Sequence, residues 1–177
     1  MSRRTTFAVV CLLLFTAGGC SRNADGSYAA PGGEFSYAPP EGWVLREMPG
    51  MKYQIAFGRP SEGFAPNINV GDEYAPVTLD EYVAGSLQVM PQMYEKVGYK
   101  HLAMLDQAEF TTGSNQRGIR VVTESEMNGK RIRQTFYFFD GGGGKKFVLT
   151  CSVPAAAAEG YDKLFDASMK TFKTGRA

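Results

Sequence analysis

The spacing of hydrophobic positions changes character several times along this chain. Phe7 to Phe15 reads FAVVCLLLF, an apolar run without a charge. Ser21 to Glu34 is small and polar, carries glycine and proline, and shows no apolar period. That stretch predicts a flexible tether. Alternation starts at Phe35-Ser36-Tyr37, breaks at the turn Pro39-Pro40-Glu41-Gly42, and resumes at Trp43-Val44-Leu45. Two short runs follow, Tyr53 to Gly58 and Asn67 to Val70. The second alternates strictly, as a strand with one dry face does.

At Thr78-Leu79-Asp80-Glu81 the period lengthens. Threonine at the N-cap with glutamate three positions on is a capping box. Leu79, Tyr82, Val83, Leu87 and Met90 then share one helical stripe. Pro91 predicts an end or a kink in that helix, and Gly98 closes the segment.

Four longer runs come next: Lys100–Phe110, Gln116–Glu126, Arg131–Phe139 and Lys146–Val153. Their connections, Thr112-Gly113-Ser114-Asn115, Asn128-Gly129 and Asp140 to Gly144, are turn chemistry, so the runs predict an antiparallel meander. Ile132, Phe136 and Phe138 alternate with Arg133, Thr135 and Tyr137, while Phe147, Leu149, Cys151 and Val153 share a face. From Glu159 onward Tyr161, Leu164, Phe165, Met169 and Phe172 recur at helical spacing, with Lys170 and Lys173 near the negative pole. Both sheet faces carry apolar residues, and two amphipathic helices are available to cover them. The expected fold is α+β: a curved antiparallel sheet of about six to seven strands sandwiched between helices.

Composition narrows the function classes. With 177 residues, 44% hydrophobic and 21% charged, the chain as a whole is neither disordered, collagenous nor a coiled coil. Lysine plus arginine is 19 against 18 acidic residues, a balance that offers no general electrostatic case for nucleic acid, which calls for a basic face. One histidine and three cysteines leave little for metal sites or histidine-based catalysis.

The first residues read as an address. Arg3 and Arg4 precede the apolar run, and Ala17-Gly18-Gly19 follows it, the three parts of a secretory signal peptide. The run is well short of the roughly 20 residues that a spanning helix needs. Directly after it, Ala17-Gly18-Gly19-Cys20 resembles the bacterial lipobox, departing from the commonest form in having Ala17 where leucine is usual. The resemblance implies that Cys20 becomes the first mature residue and carries a thioether-linked diacylglycerol (palmitate-type chains), often with an amide-linked acyl chain. Two or three chains hold a protein on a bilayer where one does so marginally. Ser21 after Cys20 matches the enterobacterial sorting pattern for the periplasmic side of the outer membrane in a Gram-negative cell. Cys11 then leaves with the signal, only Cys151 keeps a thiol, and no intrachain disulfide forms. The expected organisation is residues 1–19 as signal peptide, 20–34 as lipidated cysteine and tether, and 35–173 as one domain.

Within that domain, Phe35-x-Tyr37-x-Pro39-Pro40-x-Gly42-Trp43, Asn67-Ile68-Asn69-Val70, Thr78-Leu79-Asp80-Glu81-Tyr82, Gln134-x-Phe136, Phe147 to Pro154 and Phe165-Asp166-x-x-Met169-x-x-Phe172 occur in the order seen in PsbP/DcrB-like proteins. The chain resembles that group, extracytoplasmic α/β/α-sandwich domains whose fold is shared by the Ran-binding Mog-type proteins. The resemblance implies a non-enzymatic accessory subunit, assembly factor or lipoprotein. It supplies no catalytic motif and no cofactor.

Candidate chemistry is thin. His101 as a general base would need a nucleophile and an orienting carboxylate; Ser86, Ser114 and Asp106 exist, but no G-x-S-x-G elbow surrounds a serine. Cys151 lies on an apolar strand face and reads as an inert core thiol. Gly141 to Gly144 lacks the G-K-[ST] ending of a phosphate loop and reads as a floppy hairpin. Asp72, Glu73 and Asp80 lack EF-hand spacing. Lys130, Arg131 and Arg133, with Tyr137 on the same strand, form a candidate docking spot for an acidic partner or a lipid headgroup. The expected function is therefore binding: a bilayer-anchored extracytoplasmic lipoprotein, accessory to an envelope protein complex. The alternatives are a small-ligand or ion-binding domain using the mouth between sheet and helix, and last a hydrolase built on His101.

Overall fold

The computed structural model describes residues 26–61 and 63–175. The signal peptide and Cys20 lie outside the described residues. Ten strands occur in chain order: β1 (Tyr28–Ala29), β2 (Phe35–Tyr37), β3 (Val44–Arg46), β4 (Ile55–Phe57), β5 (Asn67–Tyr74), β6 (Lys100–Thr111), β7 (Arg117–Met127), β8 (Lys130–Gly142), β9 (Lys145–Pro154) and β10 (Lys173–Thr174). Helix α1 (Leu79–Lys96) lies between β5 and β6, and helix α2 (Ala158–Lys170) between β9 and β10. Seven strands form one antiparallel sheet in the order β3-β4-β5-β9-β8-β7-β6, and β1-β2-β10 form a second, small one. This is the expected α+β sandwich.

The meander β6 to β9 follows from its turns. Asn128 and Gly129 both have positive φ (52° and 73°), the backbone twist of a two-residue hairpin, and they join the directly paired Met127 and Lys130. Each neighbouring pair is antiparallel, so β5 and β6 run parallel with three strands between them. Helix α1 makes that crossover. The returning β9 then pairs with β5 from Asn67↔Ser152 to Tyr74↔Lys145.

Strand alternation sends side chains to two separate cores. On one face Ile119, Val121, Phe136 and Phe138 meet Leu79, Val83 and Met90 of α1. On the other, Tyr137, Phe139, Leu149 and Cys151 meet Phe165 and Met169 of α2. Pro91 neither ends α1 nor breaks its seat. It sits on the exposed side, and Met90 and Tyr94 on either flank pack onto the sheet and hold the last turn.

Two expectations change. The folded unit includes Tyr28, ahead of the expected Phe35: Tyr28 is buried, pairs with Tyr37 across β1–β2, and packs edge-on to Phe35 at 5.9 Å. A two-residue strand carries no period, so its long-range pairing left no mark in the tether-like composition. At the other end Gly175 N donates to the Glu34 carbonyl at 2.8 Å, closing the small sheet. The Gly141–Gly144 hairpin is also docked rather than floppy. Ala75 N donates to the Gly144 carbonyl at 2.8 Å, and a Cβ on Gly144 would lie 2.8 Å from the Tyr74 ring.

Phe172 joins the two sheets. It stacks on Phe139 with centroids 4.4 Å apart and also meets Phe35 and Phe147 at 5.8 and 6.0 Å. Phe172→Ala removes that joint and is expected to cost about 3–5 kcal/mol. Urea unfolding reads this as a lowered midpoint at unchanged slope; a midpoint within error of the parent contradicts the assigned role.

Candidate functional site

Helix α1 is fastened at its start. Thr78 N donates to Glu81 Oε2 at 2.9 Å and Glu81 N donates to Thr78 Oγ1 at 3.2 Å, the reciprocal capping box that the sequence predicts. Arg117 of β7 donates to both oxygens of Asp80 at 2.9 Å, tying the first turn to the sheet. Beyond that turn the helix has more apolar surface than the sheet covers. Leu79, Val83 and Met90 point into the core, while Val89, Met93 and Val97, at successive four-residue steps, are 48%, 60% and 67% exposed.

Between this outer stripe and strands β8 and β9 lies a groove of about 480 Å³. Its floor is Phe136, Phe138 and Val148, and Val89 and Met93 form the helix-side wall. Polar groups sit at the margins. Ser86 Oγ donates to the Tyr82 carbonyl at 2.8 Å, and Tyr94 Oη donates to Gln134 Oε1 at 2.6 Å. Burial, helped by the charge on Glu73, pushes the Tyr82 phenol up to about 12, and burial raises Tyr94 further. Both phenols are therefore neutral at physiological pH. The groove offers apolar contact with a few neutral hydrogen-bonding groups and the carboxylates of Glu73 and Glu81 at its rim, which suits binding. Its signal in the sequence is a second α1 stripe, Gly85-Val89-Met93-Val97, beside the one that seats the helix.

The four residues singled out on β8 do not make one surface. Arg131, Arg133 and Tyr137 point to the α2 side, but Tyr137 is wholly buried there and donates to Asp166 Oδ1 at 2.5 Å. It belongs to the core, because α2 covers that end of the strand. Arg131 pairs with Glu124. Arg133 Nη2 reaches Glu124 at 2.7 Å, and its Nη1 approaches Asp162 at 3.4 Å. The Arg133 hydrogen bond, aided by Arg131, holds the Glu124 carboxyl below its ordinary value. Lys130 begins the strand on the exposed rim. The basic cluster is thus largely neutralised from within.

The residues weighed for catalysis or metal binding have other partners. Asp106 accepts from Arg120 at 2.9 Å, Ser86 bonds the Tyr82 carbonyl, and Ser114 lies 3.0 Å from Thr112 Oγ1. His101 is exposed at the start of β6 with φ 54°. Cys151 is fully buried, and burial raises its thiol well above the ordinary value, as expected of an inert core cysteine. Asp72 takes Lys52 at 2.7 Å, and Asp80 takes Arg117. Among the described residues no group of three or more His, Cys, Asp and Glu side chains is placed to hold a metal ion.

One further charge cluster fastens the N-terminal segment. Glu34 accepts from Lys145 at 2.7 Å and from the Tyr53 phenol at 2.5 Å, with Lys52 at 3.3 Å, and Lys52 bridges on to Asp72. The Lys145 hydrogen bond, followed by that from Tyr53, lowers the Glu34 carboxyl to about 2 from an ordinary 4.5. A depressed carboxylate contributes stability above its unfolded value and loses it as pH falls through the folded one. With Glu34 still 28% exposed, screening limits the cluster, and Glu34→Gln is expected to cost about 1 kcal/mol at neutral pH. The difference between parent and variant should shrink as pH falls from 4.5 toward 2. Denaturant unfolding of both proteins across that range measures it, and a gap unchanged at the acid end refutes the clamp.

No family model matches the chain, and no curated protein matches it. Solved structures do. The chain is similar to cyanobacterial PsbP (CyanoP) from Synechocystis sp. PCC 6803 at TM-score 0.64 and 13% identity, over 84% of this chain and 91% of that one. It is similar to LpqN, involved in cell envelope biogenesis of Mycobacterium tuberculosis, at 0.55 and 14%, over 80% and 83%. The Ran-binding protein Mog1p of Saccharomyces cerevisiae matches at 0.57 and 15%, over 84% and 94%. At these identities the likeness is one of fold, and the chain has the PsbP/Mog1-like fold expected from its motifs.

Proposed function

We propose that this chain is a non-catalytic binding module of the bacterial cell envelope, exported by residues 1–19 and held on a membrane by an acylated Cys20. It acts as an accessory or assembly factor of an envelope protein complex, and the outer face of α1 is its contact surface. The observation that carries this reading is the apolar groove along α1, lined mainly by aliphatic and aromatic side chains, with Glu73 and Glu81 at its rim. The lipobox-like Ala17-Gly18-Gly19-Cys20 supports the anchor, and the shared fold of LpqN, a protein of envelope biogenesis, supports the compartment. Among the described residues no helix is long and apolar enough to cross a membrane, and the attachment in this reading is the acylated Cys20. Because Tyr28 already belongs to the core, no more than the seven residues Ser21 to Ser27 separate it from Cys20, a span of at most about 25 Å, which keeps the domain near the lipid. Ser21 directs the protein to the outer membrane in a Gram-negative cell.

The groove volume also falls within the range of small-molecule sites, so an apolar ligand is the second reading. Ligand-dependent rises in melting temperature would favour it.

The test is crosslinking in living cells, followed by affinity purification of the full-length protein beside Cys20→Ala and Met93→Glu variants. The expected result is an intact mass showing an acylated Cys20 and a stoichiometric partner at least tenfold depleted with Met93→Glu, whose exposed side chain is free of core packing. An unacylated Cys20 overturns the anchor. A partner retained in full by Met93→Glu overturns the contact surface.

A further inference from the structure

We infer that the outer face of α1 is covered by a second copy of this chain, the two helices lying antiparallel across a two-fold axis at Val89. The inference rests on the reading of that face as a contact surface and takes its occupant to be a second copy, which an envelope partner would have to displace.

Gly85 supplies the first reason. Glycine inside a helix is unfavourable by up to about 1 kcal/mol relative to alanine. Gly85 is exposed, its φ is not positive, and a Cβ there would meet nothing within 4 Å. No contact within the chain requires glycine at this position. A closely approaching neighbour does, and it would enter beside the groove.

The register supplies the second. In a two-fold interface a residue i that meets j is matched by j meeting i. Gly85 and Met93 lie four positions either side of Val89. An antiparallel copy therefore brings its Met93, 60% exposed and unbranched, onto Gly85, and receives the reciprocal contact, with Val89 meeting Val89 on the axis. A parallel pairing would set Met93 against Met93 and leave the two glycines facing each other.

Charge selects the same direction. At about 100° per residue, Glu81 in the first turn and Lys96 in the last lie on the same outer flank as this stripe. An antiparallel copy places its Lys96 near Glu81 and opposes the two helix dipoles, whereas a parallel copy stacks like charges and like dipole ends. Val97, 67% exposed at the end of the stripe, extends the apolar contact toward the copy's first turn.

The test uses the full-length protein in its own membrane. Val89→Cys places a thiol on the proposed axis, while the native Cys151 is fully buried and silent. Ala84→Cys, exposed on the opposite flank, controls for random collision. Mild oxidation should convert most of the Val89→Cys protein to a band of twice the chain mass, and little of the control. Gly85→Leu should then weaken self-association at least tenfold by analytical ultracentrifugation. At dilutions where both proteins are monomeric it should not lower the melting temperature, because the new side chain enters open space. Absence of the dimer band, or self-association unchanged in Gly85→Leu, overturns the inference. A Val89→Cys adduct with a different protein overturns it while leaving the contact-surface reading standing. No adduct at all, together with a Met93→Glu variant that keeps its partner, overturns both.

Discussion

Strand β8 has to be dry on both faces along its middle, and the rest of the molecule is arranged to make it so. Phe136 and Phe138 point one way from β8, Tyr137 and Phe139 the other, and Leu149 and Cys151 of β9 extend the second set. No single layer buries both. Covering one side with α1 and the other with α2 removes these rings from water, at roughly 1.5–3 kcal/mol for each fully buried large side chain. The connections follow. Because β5 leads into α1 across the first face, β6 enters at the far edge, and the meander has to fill the space back to β5.

The second face is closed by the chain ends rather than by helix α2 alone. Phe35 from β2 and Phe172 from beyond α2 meet over Phe147 and Phe139, and β10 then pairs with β2. Glu34, between Lys145 and the Tyr53 phenol, locks the N-terminal segment to the same edge. The segments around Tyr28, Phe35 and Phe172 therefore belong to the core.

The first face is closed less completely. Helix α1 is held at its start by the capping box and Arg117 and near its end by Tyr94 on Gln134, so its rotation about its axis is determined. That rotation turns Val83 and Met90 inward and leaves Val89 and Met93 outside, above the aromatic floor of β8. An exposed apolar stripe fixed on a rigid helix is the observation on which the proposed contact surface rests. The titratable residues elsewhere are spent on structural pairs: Asp106 on Arg120, Glu124 on two arginines, Asp72 on lysines.

Much of the fold was legible where short-range chemistry decides the backbone. The Thr78–Glu81 cap, the Asn128-Gly129 turn and the alternation of Phe147, Leu149, Cys151 and Val153 each depend on neighbours within a few positions. The motif order from Phe35 to Phe172 pointed to the sandwich that the chain adopts. What remained hidden depends on partners far away in sequence. Tyr28 pairs with Tyr37 and packs on Phe35 with no local pattern, and Tyr137 reads like Arg133 until α2 covers one and Glu124 takes the other. The contact face was hidden for the same reason. Periodicity set Leu79, Val83 and Met90 on one stripe, but Val89 and Met93 beside it are apolar too, and only the seating of α1 on the sheet decides that these are left uncovered. Local sequence sets the period of each element and hence its two faces, whereas the side that stays exposed depends on how those faces share a limited area of sheet.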